Sequence, residues 1–181
     1  MTDPIIFERV DRITTGAVGQ PGQRVFLIQA ERGASELTVL VEKEQVAMLA
    51  ARVLQLLTEL EDVTPDEEEA EAPPPASLPE DPDPLFRARM MRLGYDPERG
   101  MVMLELFEDM PEVPEDADPE FSDLDEIGFE PEGYVARVFA TRGQMRMLAI
   151  RGAEAVASGR PLCRLCMLPM NPAGHDCPSR N

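Results

Sequence analysis

The chain has 181 residues, 43% of them hydrophobic but only 5% aromatic and none of them Trp, so its core has to be built on Leu, Val, Ile, Ala and Met. No stretch approaches the roughly 20 continuous apolar residues of a membrane span, and the start Met1–Glu8 lacks the basic opening and long apolar run of a secretion signal, so neither a membrane nor an exported protein is expected. The formal charge of −18 argues against a nucleic-acid-binding protein at first sight.

Read in order, residues 12–18 are β-branched and short, which predicts a strand. Gly19-Gln-Pro21-Gly22-Gln23 then predicts a type II turn, with Pro presetting φ and Gly accepting a positive one. An anion-binding loop is the weaker reading of Gly19–Arg24, because the stretch leads into a strand and no helix dipole would assist it. Residues 24–31 and 36–42 read as two further strands of an antiparallel meander. A helix follows over 43–60, with Val46, Leu49, Ala50, Val53, Leu57 and Leu60 on one face.

Residues 61–84 hold ten acidic residues and seven Pro with no Lys or Arg, a composition expected of a flexible linker. The pattern then starts again. Leu85–Tyr95, Arg99–Phe107 and Tyr134–Ala140 read as strands, and Thr141–Ser158 as a helix. That second helix opens with a capping-box spacing at Thr141 and Gln144. Its buried stripe is Met145, Leu148, Ala149, Gly152 and Val156, with Gly159 expected in the left-handed position after its last turn. A shift of 99 positions places Gln45-x-x-Met48-Leu49-Ala50-x-Arg52 on Gln144-x-x-Met147-Leu148-Ala149-x-Arg151, and Val39 on Val138. Identical spacing at corresponding places predicts an internal duplication.

The expected fold is therefore α+β: two βββα repeats, their strands forming one antiparallel sheet or a barrel-like core, with both helices packed on it. Repeat one covers 10–60 and repeat two 85–159, together a duplicated domain over 1–159, and a small segment 160–181 follows. The second repeat carries an acidic insertion, 108–132, with twelve Asp and Glu and no basic residue. Outside 61–84 and 108–132 the other 13 acidic residues face all 17 basic ones, so the scaffold carries +4. Within the insertion, Phe121-Ser-Asp-Leu124-Asp-Glu-Ile127-Gly-Phe129 either covers a sheet edge or is a short motif that folds on a partner. Arg87, Arg89, Arg92 and Arg137 are either a solvated strand face or a basic stripe under that insertion. The nine Met of the second half read first as core filling.

All three cysteines and the only histidine lie in the last twenty residues, as Cys163-x2-Cys166-x8-His175-x1-Cys177. Three thiolates and one imidazole are the four ligands tetrahedral Zn²⁺ takes, and they leave no open position for a catalytic water. Cys163, Cys166, His175 and Cys177 are thus the expected ligands of a structural Zn²⁺; a redox Cys-x-x-Cys pair would leave His175 and Cys177 without a role. Zinc knuckles commonly place Gly just after the second Cys, where Met167 stands here. With its histidine in that segment, the chain has no candidate for His-based acid–base chemistry or a Ser-His triad.

Gly19-x-Pro21-Gly22-Gln23-Arg24, the helix start at Gln45, and the tail Gly159-Arg160-Pro161-x-Cys163-x-x-Cys166 … Pro169-x-x-Pro172-x-Gly174-His175-x-Cys177-Pro178 resemble a bacterial family of unknown function, found mainly in high-GC Gram-positive lineages. The resemblance spans nearly the whole chain. It implies a two-repeat protein with a zinc-binding tail, no assigned activity, and a link to a pathway containing phosphomutase-like and kinase-like proteins. The leading expectation is a non-enzymatic cytoplasmic binding or adaptor protein with a protein partner. The alternatives are nucleic-acid binding through the scaffold and the tail's Arg160, Arg164 and Arg180, and an accessory enzyme of that pathway.

Overall fold

The β-branched run Arg12–Val18 forms β2, and the apolar runs Val25–Arg32 and Ser35–Val41 form β3 and β4 beside it in an antiparallel meander. This computed structural model describes residues 3–20, 22–63, 78–110, 131–159, 163–167, 170 and 177–180. A short strand β1 (Ile5–Phe7) precedes the meander, and helix α1 (Lys43–Val63) follows it. The second half runs β5 (Phe86–Arg87), β6 (Met90–Asp96), β7 (Met101–Phe107), β8 (Val135–Ala140) and helix α2 (Arg142–Ala157), and a 3-10 turn covers Pro178–Arg180. The acidic stretches 64–77 and 111–130 lie outside the described residues.

The α+β class holds, but the single sheet or barrel does not. The strands make two open four-stranded sheets, in the orders β2-β3-β4-β5 and β6-β7-β8-β1. Each sheet carries one parallel strand at its edge, contributed by the other half of the chain: β5 pairs with β4, and β1 with β8. The reason lies in two hand-overs. The Val10 amide donates to Phe139 O at 2.9 Å, while the next amide, Asp11, donates to Glu31 O at 2.8 Å in the other sheet. Likewise the Ala88 amide donates to Leu40 O and the Arg89 amide to Phe107 O. Leu85–Tyr95, expected as one strand, is therefore two strands in two sheets.

The registers of the two sheets correspond place by place. Val39 lies opposite Phe86, and Val138, 99 positions on, lies opposite Phe7. Thr15 faces Ile28 as Leu93 faces Leu104. The inward faces of both sheets and both helices meet in one apolar core that includes Phe7, Ile28, Val39, Val53, Phe86, Leu104, Val138, Met145 and Leu148.

Gln45 and Gln144 hold the hand-overs. Each accepts from the backbone amide three residues earlier, Glu42 or Thr141, through its side-chain oxygen. Each then donates its side-chain NH₂ to two carbonyls of the crossing segment: Gln45 to Ala88 and Arg89 at 3.2 Å, Gln144 to Val10 at 3.2 Å and Asp11 at 3.1 Å. At the second helix this completes the expected capping box with Thr141.

The two helices seat differently. α2 packs directly on β2 and on α1, where Gly152 allows close approach: a Cβ there would stand 3.0 Å from Val46 and 3.2 Å from Thr15. The corresponding positions in the other half are the bulkier Val53 and Leu93, and there a cleft opens between α1 and β6. The turn before β3 has Gly22 at φ +98° and the Gln23 amide donating to Gln20 O, as Pro-Gly predicts. The end of α2 differs from expectation. Gly159 is not among the left-handed glycines; the Arg24 guanidinium instead donates to the Ser158 carbonyl at 2.7 Å and satisfies that end.

Candidate metal centre

Beyond α2 the chain brings three thiols together. The Sγ atoms of Cys163, Cys166 and Cys177 all lie within 4.8 Å of one another, with Cys163 and Cys177 3.8 Å apart. All three are free, and 3.8 Å is far beyond the roughly 2.05 Å of a disulfide. Cys163 is buried and the other two are half-buried. The fourth expected ligand, His175, lies outside the described residues, so three of the four are placed.

A tight turn builds the Cys-x-x-Cys end. The Met167 amide donates to Cys163 O at 2.9 Å, and the Leu165 amide points at Cys163 Sγ at 3.5 Å. At the end of this turn Met167 stands at φ +59°, the one non-glycine residue in the left-handed region among those described. Amides directed at a sulfur favour its thiolate, the form that binds metal. The Cys163 thiol is accordingly pulled down to about 7, first by the Cys166 amide and then by the Leu165 amide, against the opposing effect of desolvation. The cluster can hold a metal ion.

Of the arginines read as a possible stripe, Arg87, Arg92 and Arg137 are engaged with carboxylates. Arg137 meets Glu105 at 2.7 Å and Arg92 reaches the same carboxylate at 3.6 Å, with the Glu105 side chain only 2% exposed. Arg87 pairs with Glu42. Glu105 escaped the sequence reading because strand periodicity does not disclose which residue lies across the ladder. Its row, Arg92–Glu105–Arg137, corresponds in the other sheet to Thr14–Gln29–Thr38, where Gln29 donates to Thr38 at 3.1 Å. The methionines divide: Met145 is fully buried, whereas Met48, Met110 and Met167 are more than 60% exposed.

A cleft of about 500 Å³ opens between α1 and β6, walled by Met48, Leu49, Leu56, Met91 and Leu93 and edged by Arg52 and Arg92. No motif marks it. Its only sequence signal is the replacement of the Gly152 and Thr15 pair by Val53 and Leu93. Among the described residues no helix is long and apolar enough to cross a membrane.

The profile of a family described as "Protein of unknown function (DUF3090)" matches residues 5–177. No curated protein matches the chain, and no solved structure does.

Proposed function

The chain belongs to the DUF3090 family, and from that premise we propose that it is a non-enzymatic, cytoplasmic binding or adaptor protein whose C-terminal segment holds one structural Zn²⁺ through Cys163, Cys166, His175 and Cys177. The spacing of the thiols carries the metal part of this reading. Metal–sulfur bonds of about 2.3 Å in a tetrahedron require sulfurs about 3.8 Å apart, and Cys163 and Cys177 stand at 3.8 Å. A soft three-thiolate, one-imidazole set suits Zn²⁺, and its completeness leaves no site for a reacting water. Free thiols gathered at a metal-ligand spacing suit a reducing compartment.

We further infer that the two halves arose by duplication, which the matched registers and the paired Gln45 and Gln144 support. The ion-paired state of Arg87, Arg92 and Arg137 weighs against the nucleic-acid reading.

Elemental analysis of freshly purified full-length chain tests the metal: one zinc per chain is expected, falling below about 0.2 in Cys163→Ser/Cys177→Ser. Protein without zinc, or undiminished zinc in that variant, would refute the site. Affinity capture followed by mass spectrometry tests the binding role, with a reproducible stoichiometric protein partner expected.

A further inference from the structure

We propose that the seam between α1 and β6 is a docking groove for an extended peptide segment of a partner protein, one that carries an apolar residue followed by acidic ones. The proposal rests on the binding-protein reading and names the surface that serves it.

The chain itself shows what such a seam holds. At the corresponding seam, beside β2 and α2, the segment Leu78-Pro79-Glu80 runs along the edge strand. Leu78 Cδ1 lies against the open side of Gly16, where a Cβ would come within 2.9 Å. Glu80 shares that seam with Arg151. The α1–β6 seam has the matching parts: β6 is an edge strand whose seven residues are all half-buried, Gly94 stands at the place of Gly16, and Arg52 at the place of Arg151.

Three features fit this groove to an acidic, apolar-anchored strand. Leu93 lines an open groove where its counterpart Thr15 comes within reach of Gly152 in the other seam. Met48 stands 61% exposed on its rim, a flexible side chain suited to receiving an apolar residue. Arg52 and Arg92 edge it beside Glu59; Arg92 is shared with the buried Glu105, so Arg52 is the charge offered to an acidic residue. An extended segment laid beside an edge strand and under a helix gains main-chain hydrogen bonds from the strand and side-chain specificity from the groove.

The test uses full-length chain with ¹³C-methyl methionine, titrated with the free peptide Ala-Ser-Leu-Pro-Glu-Asp-Pro-Asp, the sequence of residues 76–83. The Met48 and Met91 methyl signals should shift and saturate, and Arg52→Glu should weaken binding on the order of tenfold. Absence of a shift at about 1 mM peptide, or shifts confined to other methionines, would overturn the proposal. So would concentration-dependent shifts without peptide, which would mean that a second copy fills the groove. If Phe121→Ala/Phe129→Ala moves the same two signals in the free chain, the chain fills its own groove and the partner reading falls. Met48→Asp changes an exposed residue and keeps the fold. An unchanged set of captured partners with that variant would remove the groove while leaving the binding-protein reading standing.

Discussion

Met167 occupies a backbone conformation that side-chain-bearing residues adopt at a cost of about 1 kcal/mol. It directly follows the turn whose Cys166 and Leu165 amides face the Cys163 sulfur, and so lies between the first two thiols and Cys177. Metal binding should therefore carry the cost, and relieving it should tighten the site. Met167→Gly is expected to raise metal affinity roughly fivefold, equivalent to about 1 kcal/mol, and Met167→Val to lower it, because a β-branched side chain resists positive φ more strongly. Competition against a chromophoric chelator measures both, and equal affinities in the three proteins would show that the turn does not limit binding. At this scale the sequence was informative, because Cys163, Cys166 and Cys177 lie close along the chain and their chemistry is local. The place where Gly was missing could be named; that Met167 would take the strained conformation anyway could not.

Between elements, the row across β6, β7 and β8 sets one buried carboxylate against two arginines, while the same row across β2, β3 and β4 uses neutral hydrogen-bonding groups. Removing one member of a buried ionic set leaves uncompensated charge and typically costs 3–5 kcal/mol, whereas replacing the whole set can be neutral. Glu105→Gln alone should therefore destabilise the protein by about 3 kcal/mol. The triple change Arg92→Thr/Glu105→Gln/Arg137→Thr copies the other sheet and should recover most of that loss. Urea denaturation of the three proteins checks this, and a triple variant as unstable as the single would refute the equivalence of the rows. Strands and helices were legible from periodicity, down to the stripes Val46–Leu57 and Met145–Gly152. Pairing was not. The apolar run Leu85–Tyr95 carries no mark at Ala88 and Arg89, where consecutive amides turn to different sheets, and Ile5–Phe7 is too short to announce itself as a strand.

Taken whole, the molecule is knitted by exchange: each half gives its first strand to the other's sheet, and Gln45 and Gln144 grip the two crossings. Neither half has a complete sheet without the other. Residues 1–63 and 78–181, made separately, should each be poorly folded and should regain native circular dichroism on mixing. Gln144→Ala in the second fragment is expected to weaken their association about tenfold, as the loss of two hydrogen bonds, one of them buried, implies. Fragments that fold independently and ignore one another would contradict the exchange. The net charge of −18 gave no hint of this arrangement, because most of the acid lies in the two stretches 61–84 and 108–132.

The exchange also imposes a schedule on synthesis. A ribosome delivers β1 first, yet its partner β8 emerges roughly 130 residues later, a wait on the order of ten seconds at cellular elongation rates. For the earlier part of that interval, until Phe86–Arg87 emerges, β4 lacks β5 along its edge, and the apolar side of α1 waits for α2 until its end. The nascent chain thus presents unpaired strand edges of the kind that pair with other chains, and a truncated product lacking β8 would keep them open.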